Sequence, residues 1–403
     1  VKEDGNNKIS GYRWVILGAF MSINLTIQIL WICFAPISGV AAEHYGVSDM
    51  QVGMLAMIFM IVYIPTSIPA SWLIDRLGFS KAVGLGAILL GVFGLLRGVM
   101  AGNYEKVLLC TIGISLAQPL ILNSFTTLAA QLFPVSERAT ASGLPMAANF
   151  VGTAIGLMLT PYLTTKYGMD TMQMIYGVLT ALSAIVFLVL ARESVFIAHS
   201  SIGQREKTLM LDGIRSILKQ RDLWFGLIMF FVGVGIFNGV ATWIEDIVRP
   251  KGMTIGQSGI LGGMLLIGGV VGASVIPPLS DKYRRRKPFM LFGMACGVPG
   301  LLGFTFLHTY PQLLVSIFAL GFFMIGIAPV AYQYAAEITH PVPEGTSNGL
   351  LMLAGQFSVI FIFAMAAMNK WLGSFTPSLL LGVGLMIANC FLISLLKESK
   401  LPE

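Results

Sequence analysis

Phe133-Pro134-Val135-Ser136-Glu137, followed by Gly143, returns later in the chain as His340-Pro341-Val342-Pro343-Glu344, followed by Gly349. The offset is 207 residues for the first group and 206 for the glycines. An unrelated loop keeps the same period, since Asp75-Arg76 returns as Asp281-Lys282, again 206 apart. Two loops that agree on one period mark an internal duplication, and the duplicated unit sets the fold.

Composition says what is duplicated. Of 403 residues, 56% are hydrophobic and only 11% charged, against about 25% charged in a soluble domain. The apolar surplus must face lipid. A span needs about 20 apolar residues to cross roughly 30 Å of hydrocarbon. Twelve such runs are read, at about 13–42, 50–74, 82–101, 105–132, 139–163, 171–191, 223–247, 257–280, 288–307, 311–336, 346–369 and 376–396. The longest polar stretch, Arg192 to Asp222, separates six spans from six. This predicts an all-α polytopic membrane protein with an N-terminal bundle over 1–191, a linker over 192–222 with a short amphipathic helix around Leu209–Lys219, and a C-terminal bundle over 223–403.

Loop charge predicts the orientation. With both termini cytoplasmic, nineteen Lys and Arg fall in inside segments and five outside, with Arg97 inside a span. That bias obeys the positive-inside rule and accounts for the net charge of +6 without nucleic acid. The expected location is the cell (inner) membrane. The first apolar run is too long for a cleavable signal peptide. Cys33, Cys110, Cys296 and Cys390 lie in apolar runs without short spacing, which suits small core filler and neither a disulfide framework nor a zinc site. No nucleophile–base pair or metal-ligand cluster stands out, so neither an enzyme, a metal nor a cofactor is expected.

Two six-span halves in parallel repeat are the signature of the major facilitator architecture, with the solute site near the bilayer midplane between the halves. The loop Asp75-Arg76-Leu77-Gly78-Phe79-Ser80-Lys81 resembles that family's loop between spans two and three. Physically it offers an acid at a helix end, a basic partner and a Gly to turn the chain. The resemblance implies a latch on the cytoplasmic side, giving a gating set of Asp75, Arg76, Gly78, Lys81, Glu137, Arg138, Asp281, Lys282 and Glu344. A plain solvated turn is the alternative. The basic run Arg284-Arg285-Arg286-Lys287 also suits anionic lipid headgroups.

Mid-span polar and aromatic residues are the candidates to touch a solute, because an unpaired polar group at that depth costs several kcal/mol. They are Gln28 and Trp31 in span one, Tyr63 in span two, Gln118 and Asn123 in span four, Asn149 in span five, Phe237 and Asn238 in span seven, and Gln356 in span eleven. Each amide has an alternative role as a hydrogen bond between neighbouring helices. Full charges stay near the span ends: Arg97, Glu245, Asp246 and Glu337. The absence of a central acid or His argues for facilitated diffusion, or for coupling through peripheral acids.

Ala117-Gln118-Pro119-Leu120-Ile121-Leu122-Asn123-Ser124, the run Phe133 to Gly143, and Glu337 to Leu351 leading into Gln356 resemble the FLVCR-related transporters over most of the chain. The resemblance implies transport of choline, ethanolamine, haem or other organic solutes. It also implies a pocket made by a Trp on span one, a Gln on span four, an Asn on span five, an aromatic on span seven and a Gln on span eleven. Trp31, Gln118, Asn149 and Gln356 stand at matching positions, and an indole face attracts a quaternary ammonium. Span seven departs, with Asn238 in place of Tyr. The expected function is a secondary transporter of a small polar or cationic organic solute, a choline-like amine or related metabolite, working by alternating access as a uniporter. A proton-coupled exporter of lipophilic compounds is the alternative. The expected partners are the solute and membrane lipids, and the chain is expected to be a monomer.

Overall fold

In lipid a backbone can satisfy its own polar groups by coiling on itself, and the apolar runs do so. The structure is a computed structural model describing residues 3–134, 137–191, 220–339 and 344–398, without the side chains of 3–10, Asp75, Thr126, Ala130, Arg138, Ala139 and 344–348. Among these residues twelve helical stretches are long and apolar enough to cross a membrane, beginning with Gly11–Tyr45 and ending with Thr376–Leu395. The twelve-span expectation is borne out. The chain forms two compact units, Val1–Ile202 and Gly203–Glu403. Most of the expected linker, with its amphipathic helix, lies outside the described residues.

The first unit runs α1 (Glu3–Ile32), α2 (Ser38–Tyr45), α3 (Asp49–Leu77), α4 (Phe79–Val99), α5 (Tyr104–Leu122), α6 (Phe125–Leu132), α7 (Arg138–Tyr167) and α8 (Met169–Leu190). The second runs α9 (Arg221–Thr242), α10 (Ile244–Val248), α11 (Ile255–Lys282), α12 (Lys287–Phe306), α13 (Tyr310–Met324), α14 (Ala328–Thr339), α15 (Glu344–Gln356), α16 (Val359–Leu372) and α17 (Thr376–Leu395).

The duplication is visible in the caps. Ser48 and Gln51 form a capping box at the start of α3, and Thr254 and Gln257 form another at the start of α11, 206 residues on. Each box is preceded by a left-handed glycine, Gly46 at φ +65° and Gly252 at φ +79°, a conformation that costs glycine least. Each unit also has close helix approaches, such as those at Gly152 and Gly321, positions the period does not relate. A Cβ on Gly152 of α7 would lie 2.2 Å from the Leu25 carbonyl oxygen, and one on Gly321 of α13 would lie 2.0 Å from that of Leu265. Small residues let membrane helices touch backbone to backbone.

One expectation fails in detail. Span four, read as continuous over 105–132, breaks at Asn123–Ser124, and spans one, seven, ten and eleven also break. In span one Pro36 removes an N–H and starts a 3-10 turn, Ala35–Ile37,. In span ten Pro329 follows the irregular residues 325–327. Apolar periodicity gives no warning of such interruptions, which membrane proteins tolerate where neighbouring groups take up the freed backbone.

Candidate functional site

Trp31 lies in the last turn of α1, 8% exposed, so it faces protein and not lipid. Its indole N–H donates to the Ala56 carbonyl of α3 at 3.2 Å, which fixes the plane of the ring. Gln118 is 5% exposed in α5, and its Oε1 is a buried acceptor with no donor. Half-buried Asn149 of α7 likewise carries an Oδ1 without a donor. Buried polar atoms are rarely left so. Asn24, Gln131 and Gln173 carry such an oxygen too, so the open acceptors of Gln118 and Asn149 mark candidate contacts for a donor-bearing solute and do not by themselves define a site.

Other predicted residues are engaged within the protein. The Tyr63 hydroxyl donates to Asn123 Oδ1 at 2.6 Å. Asn123 Nδ2 in turn donates to the Ser67 carbonyl and to the hydroxyls of Ser67 and Ser71, at 3.2, 3.1 and 3.0 Å. The structure thus brings Tyr63 and Asn123 together, and they tie the break in span four to α3. In the second unit Asn238 Nδ2 donates to Ser358 Oγ at 3.0 Å, holding the break of span eleven against α9. Gln356 ends α15 two residues before Ser358 and is half-buried, as is Phe237. A narrow apolar crevice in this unit is lined by Ile236, Val240, Phe361, Met365, Ser378 and Gly382 and includes none of the predicted residues.

The gating set is distributed unevenly. Gly78 turns the chain at φ +80° after α3, its N–H bonded to the Ile74 carbonyl at 2.9 Å. Arg76 is exposed and lays its guanidinium 5.1 Å from the Trp72 ring centre. Lys81 and Lys282 are exposed. Glu137 meets Arg13 Nη2 at 2.7 Å. The side chains of Asp75, Arg138 and Glu344 lie outside the described residues.

Sequence reasoning missed the strongest cluster. Arg286, placed in a basic run suited to headgroups, is buried to 7% side-chain exposure and turned inward. It donates to Glu337 Oε1 from Nε and Nη2 at 3.1 and 3.0 Å, to Ser280 Oγ from Nη1 at 3.1 Å, and to Asp281. Burial would lower its pKa, but the Glu337 and Asp281 carboxylates outweigh that and hold it above the ordinary value,. The Glu398 carboxylate accepts from the backbone N–H groups of Arg286 and Lys287 at 2.5 and 3.1 Å, capping α12 from the far end of the unit. The repeat, which sets Asp281 against Asp75, was the only available signal.

At the opposite ends of the spans, Arg249 pairs with Glu245 and with Asp246, whose Oδ1 lies 2.9 Å away. His44 meets Asp170 at 3.1 Å. Among the described residues no group of three or more His, Cys, Asp or Glu is placed to hold a metal ion.

The chain as a whole is similar to known proteins. The chain is 28% identical to solute carrier family 49 member A3 of Danio rerio over 371 residues, covering 88% of this chain and 78% of that one. It is 26% identical to the choline/ethanolamine transporter FLVCR2 of Rattus norvegicus, covering 96% and 75%. In fold it is similar to a bacterial homologue of the human lysosomal transporter Spinster, with a TM-score of 0.72 over 95% of both chains and 15% identity. The profile of the Major Facilitator Superfamily matches residues 16–364 and 246–402. With twelve spans, a parallel repeat and a profile match over most of its length, the chain belongs to the Major Facilitator Superfamily.

Proposed function

We propose that this transporter carries a small polar or cationic organic solute of the choline and ethanolamine type, by alternating access and as a uniporter. The observation that carries the reading is Gln118 Oε1, an acceptor buried in α5 with no donor. An ethanolamine ammonium or a choline hydroxyl supplies such a donor, and a buried hydrogen bond to a charged group contributes about 1.5–3 kcal/mol. Trp31 offers an aromatic face to the cationic head, held by its bond to Ala56. Asn149, on α7 of the same unit, is assigned to the same solute, and Gln356 is proposed as the solute contact of the second unit. Asn123, Tyr63 and Asn238 are assigned a supporting role, because their amides and hydroxyl already have partners. Relatives named as choline/ethanolamine transporters at 26–28% identity support the solute class.

The loops Asp75–Lys81 and Asp281–Lys287 are proposed as the gate, with both termini cytoplasmic in the inner cell membrane and the chain monomeric. Uptake of radiolabelled choline and of ethanolamine by proteoliposomes tests the carrier reading. Saturable uptake independent of a pH gradient is expected, and Gln118→Ala lowers it at least tenfold while the variant stays monodisperse. Absence of uptake of both compounds, or wild-type rates in Gln118→Ala and Trp31→Ala, sinks the assignment.

A further inference from the structure

Arg97 is 1% exposed in the last turn of α4, inside the apolar body of the first unit. A buried membrane arginine is costly to keep, and such residues usually serve a function. Its partners are specific. Nη1 donates to the Leu30 carbonyl at 2.9 Å, Nη2 to Cys33 Sγ at 3.2 Å, and the guanidinium carbon lies 5.4 Å from the centre of the Phe34 ring. None is a carboxylate. Cys33 and Phe34 form the interruption between α1 and the 3-10 turn at Ala35–Ile37, and Leu30 lies in the last turn of α1 just before it.

The chemistry suits that place. Where a helix ends, its last carbonyls lack amide donors, and in hydrocarbon no solvent takes them up. Leu30 is one of those carbonyls. A guanidinium is a rigid fork with a flat face, so one side chain serves the carbonyl, the thiol and the ring together. The shaft that carries it is firmly seated. A Cβ on Gly98, next to Arg97, would lie 2.8 Å from Met174 Cα of α8, and one on Gly91 would lie 2.9 Å from Ala184 Cβ. Helices that close cannot slide without steric conflict.

Leu30 directly precedes Trp31, whose indole is bonded to α3. The tryptophan is therefore held from two sides, by α3 through its ring and by α4 through the peptide before it. The geometry points to Arg97 as the positioning residue of the solute site, which closes the interruption in span one and fixes Trp31 in its working orientation. The transport half of this inference rests on the proposed carrier function; the structural half does not.

Two readouts test it. In protein keeping only Cys33 (Cys110→Ala, Cys296→Ala, Cys390→Ala), alkylation by N-ethylmaleimide reports whether the interruption is closed, since Cys33 is fully buried. Arg97→Met is expected to speed alkylation at least tenfold, and Arg97→Lys, which keeps a cationic donor for Leu30, by less than threefold. In proteoliposomes Arg97→Met raises the KM for choline at least tenfold with Vmax within threefold of wild type, and Arg97→Lys restores most of the KM. If Arg97→Met is not monodisperse, Arg97→Gln replaces it with the same thresholds. Unchanged alkylation in the folded neutral variant, equal acceleration in Arg97→Lys, or a loss confined to Vmax overturns the inference. Failure of the wild type to move choline counts against the carrier reading alone, and the thiol measurement then decides.

Discussion

The turn after α3 and the turn after α11 hold the same place in the repeat and are built from opposite materials. In the first, Gly78 takes φ +80°, Ser80 Oγ donates to the Ala191 carbonyl at 2.6 Å, and Arg76 rests outside on Trp72. In the second, the position of Gly78 is filled by Arg284 at φ +50°, and that of Ser80 by Arg286 with its carboxylates. The acceptor at 191 has its counterpart at 397, where the Lys397 carbonyl takes the Tyr334 hydroxyl at 2.8 Å. The acceptor has been kept while the turn and the donors were exchanged, since the single residue Gly78 separates α3 from α4 and four residues, 283–286, separate α11 from α12. A neutral turn depends on conformation. A charged one depends on electrostatic partners that must remain in place.

The largest test of that contrast removes the buried cation. Arg286→Met leaves Glu337 without its main partner, and breaking a buried pair from one side costs about 3–5 kcal/mol. Arg76→Met, at the exposed turn, stays within about 1 kcal/mol. Thermal or denaturant unfolding of the purified proteins measures both, and similar losses would erase the distinction. A smaller effect separates the backbones. At φ +80° and ψ +165° Gly78 occupies a region open almost only to glycine, so Gly78→Ala is expected to lose about 1–3 kcal/mol. Arg284→Gly should have the opposite sign, with a gain of at most about 1 kcal/mol. Two losses would mean that Arg284 is held by contacts strong enough to outweigh its strain.

The smallest effect lies at the other end of the spans, where the period pairs Tyr45 with Lys251. Tyr45 is neutral and accepts from Gln173 at 2.7 Å. The Lys251 ammonium donates to the carbonyls of Phe304, Thr305 and Leu307 that end α12. Burial pushes its pKa down to about 8 from 10.5. The folded protein then binds fewer protons than the unfolded chain between those values, so this group's contribution to stability rises with pH across that window. Lys251→Arg removes the titration. The stability of wild type relative to the variant should increase from pH 7.5 to 10.5, and a flat difference refutes the assignment.

Twelve apolar runs, the period and the acid after each second span were legible because each is a local or repeated pattern. The interruptions were legible only in part, where Pro36 and Pro329 stand at two of them. Trp243 ends α9 with no proline beside it, its indole bonded to the Ile362 carbonyl at 3.1 Å, 119 residues away. The roles of Asn238 and Arg286 were hidden for the same reason, since Ser358 and Glu337 lie 120 and 51 residues from them. An amide in an apolar run looks the same whether it waits for a solute or already holds a neighbouring helix. Gln118 and Asn238 differ only in what the fold brings to them.

The Glu398 carboxylate that seats the start of α12 has a consequence for how the protein is made. Helix α12 emerges from the ribosome more than a hundred residues before its cap, and synthesis runs at about 5–20 residues per second. For several seconds the two amides at its head have no protein acceptor, and the second unit's face on that side remains unfinished until its last helix has been built.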